Sequence, residues 1–276
     1  EGLSAAEIVN AFGIAGAHAS GLMEMYGSNM QKRVNPGPAA HNAIVSARLA
    51  RMGYTGADTI FDGVRGVLRA FAGQEDTSLL AEGLGQKFDF GIEYKRYACA
   101  RPIHNAVGCA LEIRPKLNNR LDAIKKMTVF RHPSWVHYHE IKSPKSIHEA
   151  QVSLNHAVAV AFAAGDAFLE HFEYEWIRNH DVQRLSHMLE FIADSNLPRG
   201  VSCRLQVVLE SGEVYEAQVD YPKGSVQNPM TTEEHWTKFT KLAGSKFNQA
   251  HLARIRNKVD NLTTLQSVNG LVELLF

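Results

Sequence analysis

The 276-residue sequence predicts a mainly helical fold interrupted by a smaller α+β segment. Three observations predict it. Up to about residue 90, small and apolar residues recur at helical spacing. Around residue 92 the character changes to strand-like runs and a hairpin signal, with helices interleaved. After Pro222, Gly224 and Pro229 the helical pattern returns and continues to the end. Boundaries therefore fall near 91 and 222, giving segments 1–91, 92–222 and 223–276.

Ser4 with Glu7 forms a Ser-x-x-Glu capping box, which predicts a helix running on toward Gly27. Pro36-Gly37-Pro38 then punctuates the chain. Ala40, Ala43, Ile44, Ala47 and Ala50 follow at helical spacing until Gly53, a stripe suited to core packing. Further on, 104–113, 153–164 and 181–193 read as helices, and 123–130 reads as a strand. The runs 204–209 and 213–219 flank Ser211-Gly212, a hairpin turn signal. From Thr231 onward the pattern is helical. There are no internal repeats and no low-complexity tracts.

Formal net charge is zero, which argues against nucleic acid as a partner, since a basic face would be needed. The three cysteines, Cys99, Cys109 and Cys203, are odd in number and widely spaced, as in a reducing cytoplasmic compartment. The longest apolar run, 157–164, is far short of the roughly 20 residues needed to span a bilayer, so a soluble protein is expected. The first residues have neither a basic start nor a long apolar core, so no signal peptide is expected there. No phosphate loop, GxGxxG turn or GxSxG elbow is present, so neither nucleotide cofactors nor serine-hydrolase chemistry is supported. No cofactor is expected.

The densest chemistry lies in Lys95-Arg-Tyr-Ala-Cys-Ala-Arg-Pro-Ile-His104. Lysine and arginine hold carboxylates, and histidine exchanges protons near neutrality, so this turn suits a small polycarboxylate anion. The same composition also suits a plain surface turn with solvated cations and a packed histidine. Cys99 beside Lys95 and Arg101 could be an activated thiolate, although a buried structural cysteine fits better in the absence of a paired base. His132, His137, His139 and His148 cluster with Glu140 and Glu149. A strand there would put His137 and His139 on one face, yet no third ligand sits at a recognisable spacing and no metal is expected.

Lys95, Tyr97, Cys99 and His104 resemble the lysine-aromatic-small-Cys…His signature of the MmgE/PrpD family. That family includes 2-methylcitrate dehydratase, cis-aconitate decarboxylase and iminodisuccinate epimerase. A second run, Met30-Gln-Lys-Arg-Val-Asn-Pro-Gly-Pro-Ala-Ala40 with Ala47-Arg-Leu-Ala50 and Gly53-Tyr-Thr-Gly56, is similar to another family motif. Tyr138, Pro144 and His148-Glu-Ala-Gln-Val-Ser153 resemble a third.

The resemblance implies a helical domain interrupted by an α+β lid, with the C-terminal helices returning to the helical domain. It implies a cofactor-free lyase in which Lys95, His104 and Tyr138 are catalytic and Lys32, Arg33 and Arg101 bind substrate. Dehydration of a 2-methylcitrate-like acid leads, with decarboxylation or epimerisation as alternatives. Two departures stand out: Ala100 occupies a position where decarboxylase-like members can hold a catalytic histidine, and Asn35 replaces another frequent histidine. A homodimer is implied. Family members carry helices upstream of this chain's start, which points to a fragment, or to a subunit of a split enzyme completed by a second chain.

Overall fold

The computed structural model describes residues 2–19, 34–73, 76–88, 91–198 and 200–276. The described residues are mainly helical and form one small four-stranded sheet. By its internal contacts the chain divides into two units, Glu1–Phe90 and Gly91–Phe276.

In the first unit, α1 (Ala5–Gly16) begins at the Ser4–Glu7 capping box. The Ser4 hydroxyl accepts from the Glu7 amide, and the Glu7 carboxylate accepts from the Ser4 amide at 2.7 Å. The helix is shorter than the sequence predicts. Past Gly16 the backbone tightens into i→i−3 bonds, Ala17 to Ile14 and His18 to Ala15, and residues 20–33 lie outside the described set. Gly13 and Gly16 let other segments in closely: a Cβ on Gly13 would lie 2.4 Å from the Ala57 nitrogen. Among the described residues of this unit, α2 (Pro36–Arg51), α3 (Val67–Ala72) and α4 (Ser78–Ala81) follow.

The apolar stripe on α2 departs from expectation. Ala50 and Ser46 are buried, but Ala40, Ala43 and Ile44 are exposed. The shorter α1 has 12 residues against 16 in α2, so it has less length with which to cover that stripe.

The second unit carries the core. Its helices are α5 (His104–Ile113), α6 (Ile147–Gln151), α7 (Leu154–Ala164), α8 (Tyr174–Ile177) and α9 (His180–Met188), followed after the sheet by α10 (Thr232–Ala243), α11 (Gln249–Asp260) and α12 (Asn269–Val272). The strands are β1 (Ile124–Arg131), β2 (Leu189–Ala193), β3 (Cys203–Leu209) and β4 (Val214–Val219), in spatial order β2-β1-β3-β4.

β1 pairs parallel with β2, matching Met127 to Leu189, and antiparallel with β3, matching Thr128 to Gln206. β3 and β4 form the hairpin around Ser211-Gly212, where Gly212 takes a left-handed φ of 87°. The predicted helix over 181–193 ends at Met188. Leu189-Glu-Phe-Ile-Ala becomes an edge strand because the open side of β1 offers its backbone a parallel partner.

α7 is apolar nearly all round and is buried from Leu154 to Phe162, as befits a helix surrounded by other elements. Ser153 caps it by accepting from the His156 amide. α5 lies on β3 and β4, where the Asn105 amide donates to the carbonyls of Val219 and Asp220 at 2.9 and 3.0 Å. Gly108 rests against the Val219 side chain.

One backbone clasp fixes the entry to this unit. The Tyr94 amide donates to the Gly224 carbonyl at 2.8 Å. Gly224 has φ +94°, and a Cβ there would lie 2.0 Å from the Tyr94 oxygen. Gly224→Ala is expected to cost about 1–3 kcal/mol in urea unfolding and to speed hydrogen exchange at the Tyr94 amide. Unchanged stability and exchange would contradict the clasp.

Candidate active site

The signature turn is held from several directions. The Ala98 amide donates to the Ala167 carbonyl at 3.0 Å and the Ala100 amide to the Gln151 carbonyl at 2.8 Å. Arg101–Ile103 winds a single 3₁₀ turn, with Pro102 supplying the φ that such a turn needs, and feeds directly into α5. The chain thus turns inward after Lys95, burying Tyr97, Cys99, Ile103 and His104 while Lys95 stays exposed.

His104 is 0% exposed and meets the Tyr97 ring edge-on, with centroids 5.2 Å apart. Its Nε2 lies 3.4 Å from the Cys99 carbonyl. A carbonyl can only accept, so Nε2 carries the proton and Nδ1 the lone pair. That Nδ1 is buried and has no hydrogen-bond partner among the described residues. Burial pushes the imidazole down to about 3; Arg101, Lys95 and Lys238 add to the fall, and the bond to the Cys99 carbonyl opposes it. His104 is therefore neutral near neutrality, where it ties the turn together.

Burial likewise pushes the Cys99 thiol up to about 12, against the pull of Lys95, which suits the structural reading of this cysteine. Burial also raises the Tyr97 phenol to about 12.

Arg101 forms a two-pronged ion pair with Glu93, Nε to Oε2 at 2.7 Å and Nη2 to Oε1 at 2.8 Å. Among the described residues the Lys95 ammonium has no carboxylate within ion-pair distance. Its carbonyl accepts from the Lys238 ammonium of α10. Beside it, Arg96 lies 3.8 Å from Asp166, which also takes Lys241 at 2.9 Å. Burial would raise the Asp166 carboxyl, but Lys241, the Ala167 amide and Arg96 together hold it below its ordinary value.

Tyr138 sits on a turn-rich loop rather than a strand, so His137 and His139 do not share a strand face; His139 takes a φ of +72°. The loop is pinned to the start of α7 by Leu154 N to His139 O at 2.9 Å, Ile141 N to Asn155 Oδ1 at 3.1 Å and the Ser153 hydroxyl to Ile141 O. Tyr138 is 44% exposed, and its ring meets Trp135 and His139 edge-on. Among the described residues no group of three His, Cys, Asp or Glu side chains is placed to hold a metal ion. No described helix is long and apolar enough to cross a membrane. Lys32 and Arg33 lie outside the described residues.

Arg131, absent from the sequence reading, connects the parts. It ends β1 and is 0% exposed; Nη1 donates to the Tyr138 carbonyl and Nη2 to the Pro102 carbonyl, both at 2.9 Å. A signal existed. Met127, Val129 and Arg131 fall on one face at strand period, which places the arginine inward with two core residues. Lys95, Arg101 and His104 thus share one turn, and Arg131 fastens the Tyr138 loop to it.

Fold and site together define an α+β unit that presents a cationic turn at its surface, in a chain that opens with a helical unit. The chain belongs to the MmgE/PrpD family: the MmgE/PrpD C-terminal domain matches residues 97–264 and the MmgE/PrpD N-terminal domain residues 1–80. It is similar to "Cis-aconitate decarboxylase-like protein oryM" of Aspergillus oryzae, 29% identical over 296 residues, covering 99% of this chain and 61% of that protein. It is also similar to two proteins of Aspergillus terreus named "Cis-aconitate decarboxylase". These are 29% and 27% identical over 302 and 299 residues, each covering 99% of this chain and 60% of the relative. The chain therefore spans about 60% of the length of these relatives.

Between about pH 6.5 and about pH 3 the unfolded chain binds a proton at His104 that the folded chain does not. Acidification through that window therefore destabilises the fold, by up to about 1.4 kcal/mol per pH unit. His156 and His171, also depressed by burial, act in the same direction. His104→Gln is expected to flatten the fall in urea midpoint between about pH 7 and about pH 5. A slope identical to wild type would show that His104 takes up its proton in the folded state.

Proposed function

We propose that the protein is a lyase acting on a small polycarboxylate, through loss or gain of a proton at a carbon next to a carboxylate. Family membership supports the class. The observation that carries the substrate chemistry is the exposed Lys95 ammonium, without a carboxylate partner among the described residues, on a turn whose neighbours are buried and fixed. Lys95 holds a substrate carboxylate, and Arg101, braced by Glu93, offers a second, partly spent cation. As the carbon loses its proton, charge spreads onto the adjacent carboxylate, and a fixed ammonium stabilises that charge without reorganising.

Proton transfer falls to Tyr138, an exposed residue, while the neutral and enclosed His104 keeps the turn in shape. Dehydration of a 2-methylcitrate-like hydroxy acid is the leading reading: a base takes the C–H proton, the electron pair left behind forms the C=C bond, and the hydroxyl takes up a proton as its C–O bond breaks and leaves as water. The Ala100 methyl supports it, standing where decarboxylase-like members can hold a catalytic histidine. A second reading, loss of carbon dioxide from a cis-aconitate-like acid, draws support from the names of the similar proteins.

Lys95→Ala, made in the intact protein, is expected to lower kcat/KM about tenfold or more, the equivalent of one lost charge-assisted contact of about 1.5–3 kcal/mol. Lys95→Arg restores only part, since a planar fork does not fill the place of a compact ammonium. Water loss and carbon dioxide release are followed in parallel with citrate-like, methylcitrate-like and aconitate-like acids. A Lys95→Ala enzyme with wild-type rates would remove this turn from the site.

A further inference from the structure

Lys238 lies on α10, 143 residues along the chain from Lys95, yet its ammonium donates to the Lys95 carbonyl. Three local features aim it there. Thr231 and Glu234 cap the helix start in a reciprocal pair, and Lys223 binds Glu234 at 2.9 Å. His235, one turn before Lys238, meets the Tyr94 ring edge-on at 4.5 Å. Gly224 clasps Tyr94 from the segment leading into the helix. The face of α10 that carries His235, Lys238 and Lys241 is thereby seated along the start of the signature turn.

The two lysines of that face have different tasks. Lys241 is satisfied: it pairs with Asp166 at 2.9 Å and lies 4.6 Å from the centre of the Phe168 ring. Lys238 has no carboxylate within ion-pair distance among the described residues, and neither does Lys95. An ammonium has three N–H donors, of which the Lys95 carbonyl takes one. A tether to a carbonyl needs no positive charge, and a second cation set beside Lys95 and Arg96 repels both. Burial and the charges of Arg96 and Lys95 lower the Lys238 ammonium, the electrostatic mark of that crowding. Asp166, the carboxylate at this cluster, is shared by Arg96 and Lys241.

We propose that Lys238 is a second carboxylate anchor of the site, so that Lys95 and Lys238 each hold one carboxylate of the same polycarboxylate. This rests on the lyase reading above and deepens it: a second carboxylate of the polycarboxylate is assigned its own cation, and α10 becomes part of the binding surface.

The test is calorimetric titration of the intact protein with tricarballylate, which carries three carboxylates, and with butyrate, which carries one. Lys238→Gln is the informative variant, because its amide still donates to the Lys95 carbonyl while the charge is gone. The expected result is about tenfold weaker tricarballylate binding in Lys238→Gln and in Lys95→Met, with a further loss in the double variant. Butyrate binding should change little in Lys238→Gln. If Lys95→Met weakens tricarballylate binding and Lys238→Gln does not, the second anchor is overturned and the lyase reading stands. Equal losses for both acids in Lys238→Gln assign that lysine a structural role and also overturn the anchor. If neither variant alters tricarballylate binding, both readings fall.

Discussion

The buried guanidinium of Arg131 joins the sheet to the signature turn and to the Tyr138 loop. Burying a cation away from water is costly, and no carboxylate ion pair to Arg131 is formed among the described residues. Two carbonyl dipoles, those of Pro102 and Tyr138, take its place, while the Nε is left without a partner. Desolvation accordingly lowers the arginine's pKa from its ordinary high value. Such an arrangement lasts only where the surroundings fix it. Arg131 ends the strand flanked on both sides, opposite Ala193 on β2 and Cys203 on β3, so its backbone has little freedom to move. The sheet supplies rigidity, and the guanidinium transmits it to two loops that carry chemistry.

From that anchor follows the character of the signature turn. Once Pro102 is held, the 3₁₀ turn runs into α5 and draws Tyr97, Cys99 and His104 into the core. Each becomes harder to charge on burial, the phenol and thiol being raised and the imidazole lowered. The cations point the other way. Lys95, Arg96, Arg101 and Lys238 gather above a neutral, enclosed floor, with Glu93 and Asp166 compensating only some of them. A site of this kind attracts anions by charge and holds its shape by burial, and the two tasks fall on alternate parts of one ten-residue stretch.

What the sequence shows and what it hides divides along contact distance. The helices at His104–Ile113 and Leu154–Ala164, strand Ile124–Arg131 and the hairpin at Ser211-Gly212 all rest on local signals, capping, period and turn chemistry, and they are legible. β2 is not, because Leu189–Ala193 becomes a strand only through the open edge of β1, more than fifty residues earlier in the chain. The stripe on α2 misleads for a related reason: periodicity marks a face that could be covered without saying what covers it. At the site, Lys95, Arg101 and His104 are legible as a cluster because one turn contains them, whereas the enclosure of His104 comes from packing that the motif does not record. Arg131 and Lys238 escape for lack of local pattern, as one reaches Pro102 across 29 residues and the other Lys95 across 143.

The role of Arg131 is tested most directly by amide hydrogen exchange of the intact protein carrying Arg131→Met. The substitution keeps the apolar stem and removes both hydrogen bonds. Faster exchange is expected at Ile103, Tyr138 and Glu140, whose amides close the two loops onto Ala100, Trp135 and His137, while amides pairing β1 with β3 keep their protection. Wild-type protection at both loops would contradict it, showing that turn and Tyr138 loop hold their places without the guanidinium.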